Sequence, residues 1–411
     1  MNAKQFFAVL PLCILLTAAM GQVGVQQGAW KGELFRNDGK IIPFHFDIKS
    51  EKNKTVLYVI NAADKMRVDK IRLTKDSVFI EMPVFESAFK IKKISDHQWQ
   101  GVWIKGGSVK QQVMPFTAQT QLSLAPEIIK PALTDISGRW DVTFIKGDLL
   151  SRPAIGEWQQ KGTTLRGTFL TPTGDYRFLS GVVNGDSLRL STFDGGHAFL
   201  FTGKINNDQQ ITGGTFYSGA TSSEPWMAVR NEKATLPDVA AMYLKDGEEK
   251  LNFRFYDLDK KPVSINDAKF KNKVVIVQIM GSWCPNCMDE TAFLSDYYNR
   301  NKQRGVEIIG LAYEYTTDFE RSRKSIQKFK DRFNIKYTIL NTGVTVGDSL
   351  RTEKTLPQLT QIKSFPSTIF IDKKGKVAKI YAGFEGPGTG IHYDEMKKEF
   401  YATVDGLLKE K

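Results

Sequence analysis

The hydrophobic pattern changes character once along the chain. Between residues 22 and about 235, alternating and β-branched runs recur at short intervals, among them Thr55-Val-Leu-Tyr-Val-Ile60, Ser77-Val-Phe-Ile80, Thr164-Leu-Arg-Gly-Thr-Phe169 and Ser187-Leu-Arg-Leu190. Asn, Asp and Gly separate them and helical spacing is nearly absent, so this part is expected to be all-β. Beyond residue 253, strand-like and helix-like runs alternate. Val274 to Met280 and Val306 to Ala312 read as buried strands and Tyr337 to Leu340 as a short one. Met288 to Tyr298, Asp318 to Phe333 and Glu395 to Lys411 read as helices. Strands alternating with helices imply a sheet with helical cover.

The all-β part repeats. Trp30 recurs as Trp140, Asp76-Ser77-Val78 as Asp186-Ser187-Leu188, and Ala88-Phe89 as Ala198-Phe199, each 110 positions on. Two homologous antiparallel barrel or sandwich units are therefore expected, at 22–125 and 126–235. Trp30, Trp99, Trp103, Trp140, Trp158 and Trp226 are expected in their cores rather than around a ligand. Residues 236–252, polar at Lys245-Asp-Gly-Glu-Glu-Lys250, read as a linker, and 253–411 as an α/β domain. The fold class is thus multidomain, all-β followed by α/β.

Residues 1–21 carry Lys4, an apolar run from Phe6 to Leu16 and then small residues, the pattern of a cleaved signal peptide. An uncleaved membrane anchor is the alternative, disfavoured because the run is shorter than the roughly 20 residues a spanning helix needs. The formal charge is +12, but Lys and Arg are scattered among acids, which argues against nucleic-acid binding. The four histidines, His45, His97, His197 and His392, show no metal spacing, and no metal or cofactor is expected. Gly386-Pro-Gly-Thr-Gly390 lacks the Lys-Ser/Thr of a phosphate loop and reads as a turn into the last helix.

The candidate chemistry lies in Trp283-Cys284-Pro285-Asn286-Cys287, between the strand ending at Met280 and the helix that follows. Cys284 falls at the helix N-terminus, where unpaired amides and the helix dipole favour a thiolate, and it is expected to be the exposed nucleophile with Cys287 as the resolver. Cys287 lies one turn on, within reach of a disulfide with Cys284. Pro285 suits a first helical turn. A zinc site would need about four ligands. The chain has three cysteines, and Cys13 lies in the leader, so a redox pair is the better reading.

Here the chain resembles a known family. Phe255 to Ser264, Lys273-Val-Val-Ile-Val277, Gly281-Ser-Trp-Cys-Pro-Asn-Cys287 with Glu290, and Ser364-Phe-Pro-Ser-Thr-Ile-Phe-Ile-Asp372 are similar to the TlpA/ResA-type thiol–disulfide oxidoreductases of the thioredoxin superfamily. The resemblance covers residues 253–411 only. It implies a thioredoxin-like fold, catalytic Cys284 and Cys287, and a cis-proline at Pro366. It also implies an acid at Glu290 that influences the thiols, and client contacts from Trp283, Pro285, Phe365 and Pro366. It implies client proteins with disulfides and an upstream, membrane-bound thiol donor. With the leader, the expected location is the periplasm.

The sequence departs from the pattern twice. Gln278 stands where thioredoxin itself has a buried aspartate, leaving proton relay to Glu290, Glu314 or water. From Cys287 to Pro366 the chain is longer than usual, and the excess at Asn341 to Gln361 reads as a surface excursion, partly helical near the site. A thiol peroxidase and a non-catalytic β-domain binder with a structural disulfide are the competing functions. The uncharged Pro285-Asn286 pair favours a reductase. The β units are expected to dock a client or partner.

Overall fold

The computed structural model of the chain describes residues 25–108, 110–123, 128–147 and 150–410. The leader expected at 1–21, with Cys13, lies outside them. Among the described residues no helix is long and apolar enough to cross a membrane.

The two β units share one topology. The first is a nine-stranded antiparallel meander whose first strand, Gly28–Phe35, pairs with its last, Gln112–Thr120. In the second, Gly138–Lys146 pairs with Ser222–Arg230 in the same way, and pairing of Leu150–Lys161 with Thr164–Thr171 completes the ring. In the first unit, Asp64–Val68 and Ile71–Leu73 form the two edges of the sheet and are adjacent in the chain, so that sheet also curls towards closure.

Alternation drives both: along Ile41–Glu51, Ile42, Phe44, Phe46 and Ile48 point inward and are buried. All six tryptophans are core residues, with Trp30 against Trp99 at 4.4 Å and Trp140 against Trp158 at 5.5 Å between ring centroids. The repeat extends to single hydrogen bonds. Trp30 Nε1 donates to the Gln26 carbonyl and Trp140 Nε1 to the Ile136 carbonyl, each at 3.0 Å. The units also interlock, because Phe193 of the second enters the core of the first against Phe44 at 4.4 Å. Asn61 holds Phe193 by both backbone groups.

The α/β domain comprises β1 (Arg254–Asp257), β2 (Pro262–Ser264), β3 (Val274–Met280), α1 (Pro285–Asn301), β4 (Val306–Ala312), α2 (Phe319–Arg332), β5 (Thr338–Asn341), α3 (Arg351–Thr355), β6 (Ser367–Ile371), β7 (Val377–Ala382) and α4 (Ile391–Lys409). The sheet order is β2-β1-β5-β4-β3-β6-β7, with β3 parallel to β4 and antiparallel to β6. Every residue of β3 is buried, as its apolar run requires, including Gln278, the one polar residue in it.

Two expectations need correcting. The stretch 236–252 is not a free linker from Met242 onward. Met242, Leu251 and Phe253 are buried against the sheet, and Lys245 and Tyr243 exchange backbone bonds with Gln358 and Thr360. The excursion at Asn341 to Gln361 carries a short helix, α3, but it is more than surface, because it buries Leu356 and Leu359 in the same cluster. The polar run Lys245 to Lys250 masks these sparse anchors in the sequence.

The β units also pack on the α/β domain. Glu86 accepts from Arg321 at 2.8 Å and Ser325 at 2.7 Å, and Lys328 donates to the Phe85 carbonyl at 2.9 Å. The matched tryptophan bonds give a test of the repeat. Trp140→Phe should cost about 1–3 kcal/mol, the penalty for leaving the buried Ile136 carbonyl unpaired, and Trp30→Phe less, because Gln26 is exposed and water can replace the bond. The urea midpoint should therefore fall further for Trp140→Phe, and a larger fall for Trp30→Phe would mean that its indole bond is the more important of the two.

Candidate active site

The chain turns from β3 into α1 through Gly281, Ser282 and Trp283, and this turn sets the site. Glu314, just after β4, accepts from the Ser282 amide at 2.9 Å and its hydroxyl at 2.6 Å. Trp283 donates its indole N–H to the Tyr313 carbonyl at 2.8 Å and stacks on Tyr315. Cys284 is the N-cap of α1 with Pro285 in the first turn, and its sulfur accepts the Cys287 amide at 3.2 Å. An amide directed at sulfur is the contact a thiolate uses. On its other side, Cys284 Sγ donates to the Phe365 carbonyl at 3.4 Å. The Phe365–Pro366 peptide is cis. Trp283, Cys284, Pro285, Phe365 and Pro366 are thus brought to one place.

Both cysteines are free thiols in this structure, the dithiol form of the pair rather than the Cys284–Cys287 disulfide. Cys287 is fully buried, and Cys284 is only 3% exposed. The expectation of an exposed Cys284 is therefore not met. Val84 and Phe85 of the first β unit join the buried cluster that contains both cysteines, and the second unit contacts Asn286 between them.

Behind Cys287 lies a buried carboxylate. Glu290 accepts from Gln278 Nε2 at 2.7 Å and from the Thr368 hydroxyl. Burial pushes it up to about 7, against the pull of those two donors. Gln278 thus does not replace an acid; it holds one. The Cys287 thiol is pushed well above its usual range by burial first, then by Cys284 and the Glu290 charge. Burial likewise pushes Glu314 to about 7. A cleft of about 450 Å³ reaches Glu290, with Phe293, Phe370 and Phe384 on one side and Thr171, Pro172 and Leu236 on the other.

Sequence reasoning reached Glu290 and Glu314 but not their partners. Thr368 sits two residues after Pro366, and its position on β6 facing α1 is the signal that was available. Asp175, Arg177 and Asp289, which lie against the site, had no local signal.

Two outcomes follow. Glu290→Gln removes a like charge, so the Cys287 thiol should titrate lower, read as a shift of its alkylation profile to lower pH; an unchanged profile would leave Glu290 a purely structural group. For Glu314 the folded pKa exceeds the unfolded one, so its stabilising contribution is complete below about 4.5 and lost as pH rises through about 7. The loss amounts to about 3 kcal/mol. Glu314→Gln should therefore unfold at higher urea than the parent at pH 8 and show little gain at pH 5.

Comparison with known proteins bears on residues 235 onward. The profile of the Redoxin family matches residues 235–396. The thiol-disulfide oxidoreductase ResA of Bacillus thuringiensis subsp. konkukian is 29% identical over 138 residues, 33% of this chain and 69% of that protein. ResA of Halalkalibacterium halodurans is 26% identical over 159 residues, 38% of this chain and 76% of that protein. Among solved structures, the thioredoxin domain of a thiol-disulfide oxidoreductase from Bacteroides vulgatus is 24% identical, covering 38% of this chain and 98% of its own, with a TM-score of 0.28. Residues 235–396 are a Redoxin domain, and through it the C-terminal part of the chain belongs among the thioredoxin-like thiol–disulfide oxidoreductases.

Proposed function

We propose that the chain is a periplasmic thiol–disulfide oxidoreductase whose reduced Cys284–Cys287 pair opens disulfides in client proteins. The observation that carries this reading is the position of Cys284. Its sulfur caps α1, receives the Cys287 amide, and lies beside the Phe365 carbonyl next to Pro366. The export pattern of residues 1–21 supports the location.

Cys284 is the nucleophile. Its thiolate attacks one sulfur of the client disulfide; that bond breaks, a Cys284–client disulfide forms, and the other client sulfur leaves and takes a proton. Cys287 is the resolver. Its proton passes to Glu290, one helical turn away, and its thiolate attacks the Cys284 sulfur. The intramolecular disulfide forms and the client leaves as a dithiol. Two electrons have passed to the client, and a membrane-bound thiol donor restores the pair. The carboxylate that accepts this proton titrates near neutrality, as such a relay needs.

An extended client segment pairs with the backbone of Phe365, a β-augmentation, while Trp283, Pro285 and Pro366 flank its cysteine. The direction follows from what does not stabilise a thiolate. Pro285 and Asn286 bring no positive charge, and Glu290 opposes ionisation of Cys287. With Cys287 kept from ionising, the reduced pair gives up electrons readily.

The roles are separable by trapping. Cys287→Ser should accumulate mixed disulfides with clients, visible on non-reducing gels, and Cys284→Ser should not. Better trapping by Cys284→Ser would reverse the assignment.

A further inference from the structure

The second β unit reaches into the dithiol site with one hairpin. Thr164–Thr171 turns through Pro172 and Thr173 to pair Thr171 with Gly174 and Leu170 with Asp175. Its tip touches each of the three segments that border the cysteines. The Thr173 carbonyl accepts from Ser364, the residue before Phe365, at 3.3 Å. The Asp175 carbonyl accepts from Asn286, between the cysteines, at 3.1 Å. Gly383, just after β7, lies so close that a Cβ there would stand 3.0 Å from the Thr173 backbone.

The hairpin is fastened just behind its tip. Asp175 accepts the Gly386 amide at 2.8 Å, and a Cβ on Gly388 would stand 2.7 Å from the Arg177 backbone. The turn Gly386-Pro-Gly-Thr-Gly390, which has no phosphate role, is a docking strip for this segment. Arg177 then makes a bidentate pair with Asp289 of α1, at 2.7 and 2.9 Å. Arg177 itself is held at φ +56°, a left-handed conformation uncommon outside Gly, Asn and Asp and a kind of strain found at switch segments.

A client segment that pairs with Phe365 must run between the same three borders. The Phe365 amide has no hydrogen-bond partner among the described residues, so the group a client would use is available while the space beside it is taken. Trp283, Pro285 and Phe365 keep part of their surface, which leaves an entry for a small disulfide.

We propose that the hairpin Thr171 to Arg177 is a specificity-determining cover: seated, it limits the dithiol to small disulfides, and a protein client reacts only when it lifts. This rests on the exchange chemistry proposed above. The cover is fastened mainly by the buried charges, so removing both together should release it without leaving either one unpaired.

The test uses the full chain carrying Arg177→Gln with Asp289→Asn. Reduction of insulin should rise about tenfold, the gain expected if the open state is a minority of roughly one in ten, while reduction of oxidised glutathione changes less than about twofold. Equal changes for the two substrates, or none for insulin, would overturn the proposal. Hydrogen exchange on the unaltered protein decides the matter independently of whether the variant folds. The Gly386 amide, which the hairpin's Asp175 holds from outside the cover, should exchange through an opening that leaves the β3–β4 ladder protected. Exchange of all of these only on global unfolding would mean a fixed wall. Inactivity of the unaltered protein on both disulfides would instead sink the exchange reading, with hydrogen exchange still deciding whether the hairpin lifts.

Discussion

The pair formed by Arg177 and Asp289 is the constraint on which the arrangement turns. It joins the second β unit to α1, one residue before Glu290, and Arg177 also lies 3.7 Å from Asp64 of the first unit. All three bodies therefore meet at one guanidinium. Burial works against the charge on Arg177, but Asp289 outweighs it and holds the group firmly cationic. Burial also pushes Asp175 up to about 7, helped by Asp289 and opposed by the Gly386 and Arg177 amides. Such a cluster is a poor source of net stability, because desolvation consumes most of the attraction. What it supplies is register: only one placement of the β units satisfies every charge.

That register shapes the surroundings of the cysteine pair. Cys284 and Cys287 are both covered. Part of the cover comes from outside the Redoxin domain, since Val84, Phe85 and the 171–177 hairpin come from the β units. The interior of the site is organised by carboxylates instead. Glu314 fixes the turn before Cys284, and Glu290 stands behind Cys287. Two buried acids near neutrality on either side of the pair make its surroundings sensitive to pH where the Cys287 thiol is not yet ionised.

What could be read from the sequence was local. The strand–turn–helix around Cys284 was legible because β3 is apolar at every position but Gln278 and Pro285 marks the first helical turn. The β repeat was legible because Trp30 and Trp140 occupy equivalent core positions and make the same bond. The interface was not, since Gly174-Asp-Tyr-Arg177 reads as an ordinary turn and Asp289 as one more polar residue of the helix. They acquire meaning only from partners 112 residues apart. Gln278 was misleading for the same reason, because its role is set by Glu290 across the helix–sheet contact. The stretch before Phe253 was read as a linker because its anchors are few and lack any period.

In each β unit the first strand lies beside the last, so the chain enters and leaves at one seam. A unit of this kind pairs its own end strands and takes no strand from its neighbour. Copying it in tandem breaks no existing pairing and asks nothing of the neighbouring fold except a few residues of connection. The architecture is therefore open to growth by duplication in a way the Redoxin sheet is not, since there β3 is hemmed by β4 and β6 from distant parts of the chain. Two copies that began as equivalents have diverged where they meet the third body: one contributes Phe85 and Glu86, the other a hairpin.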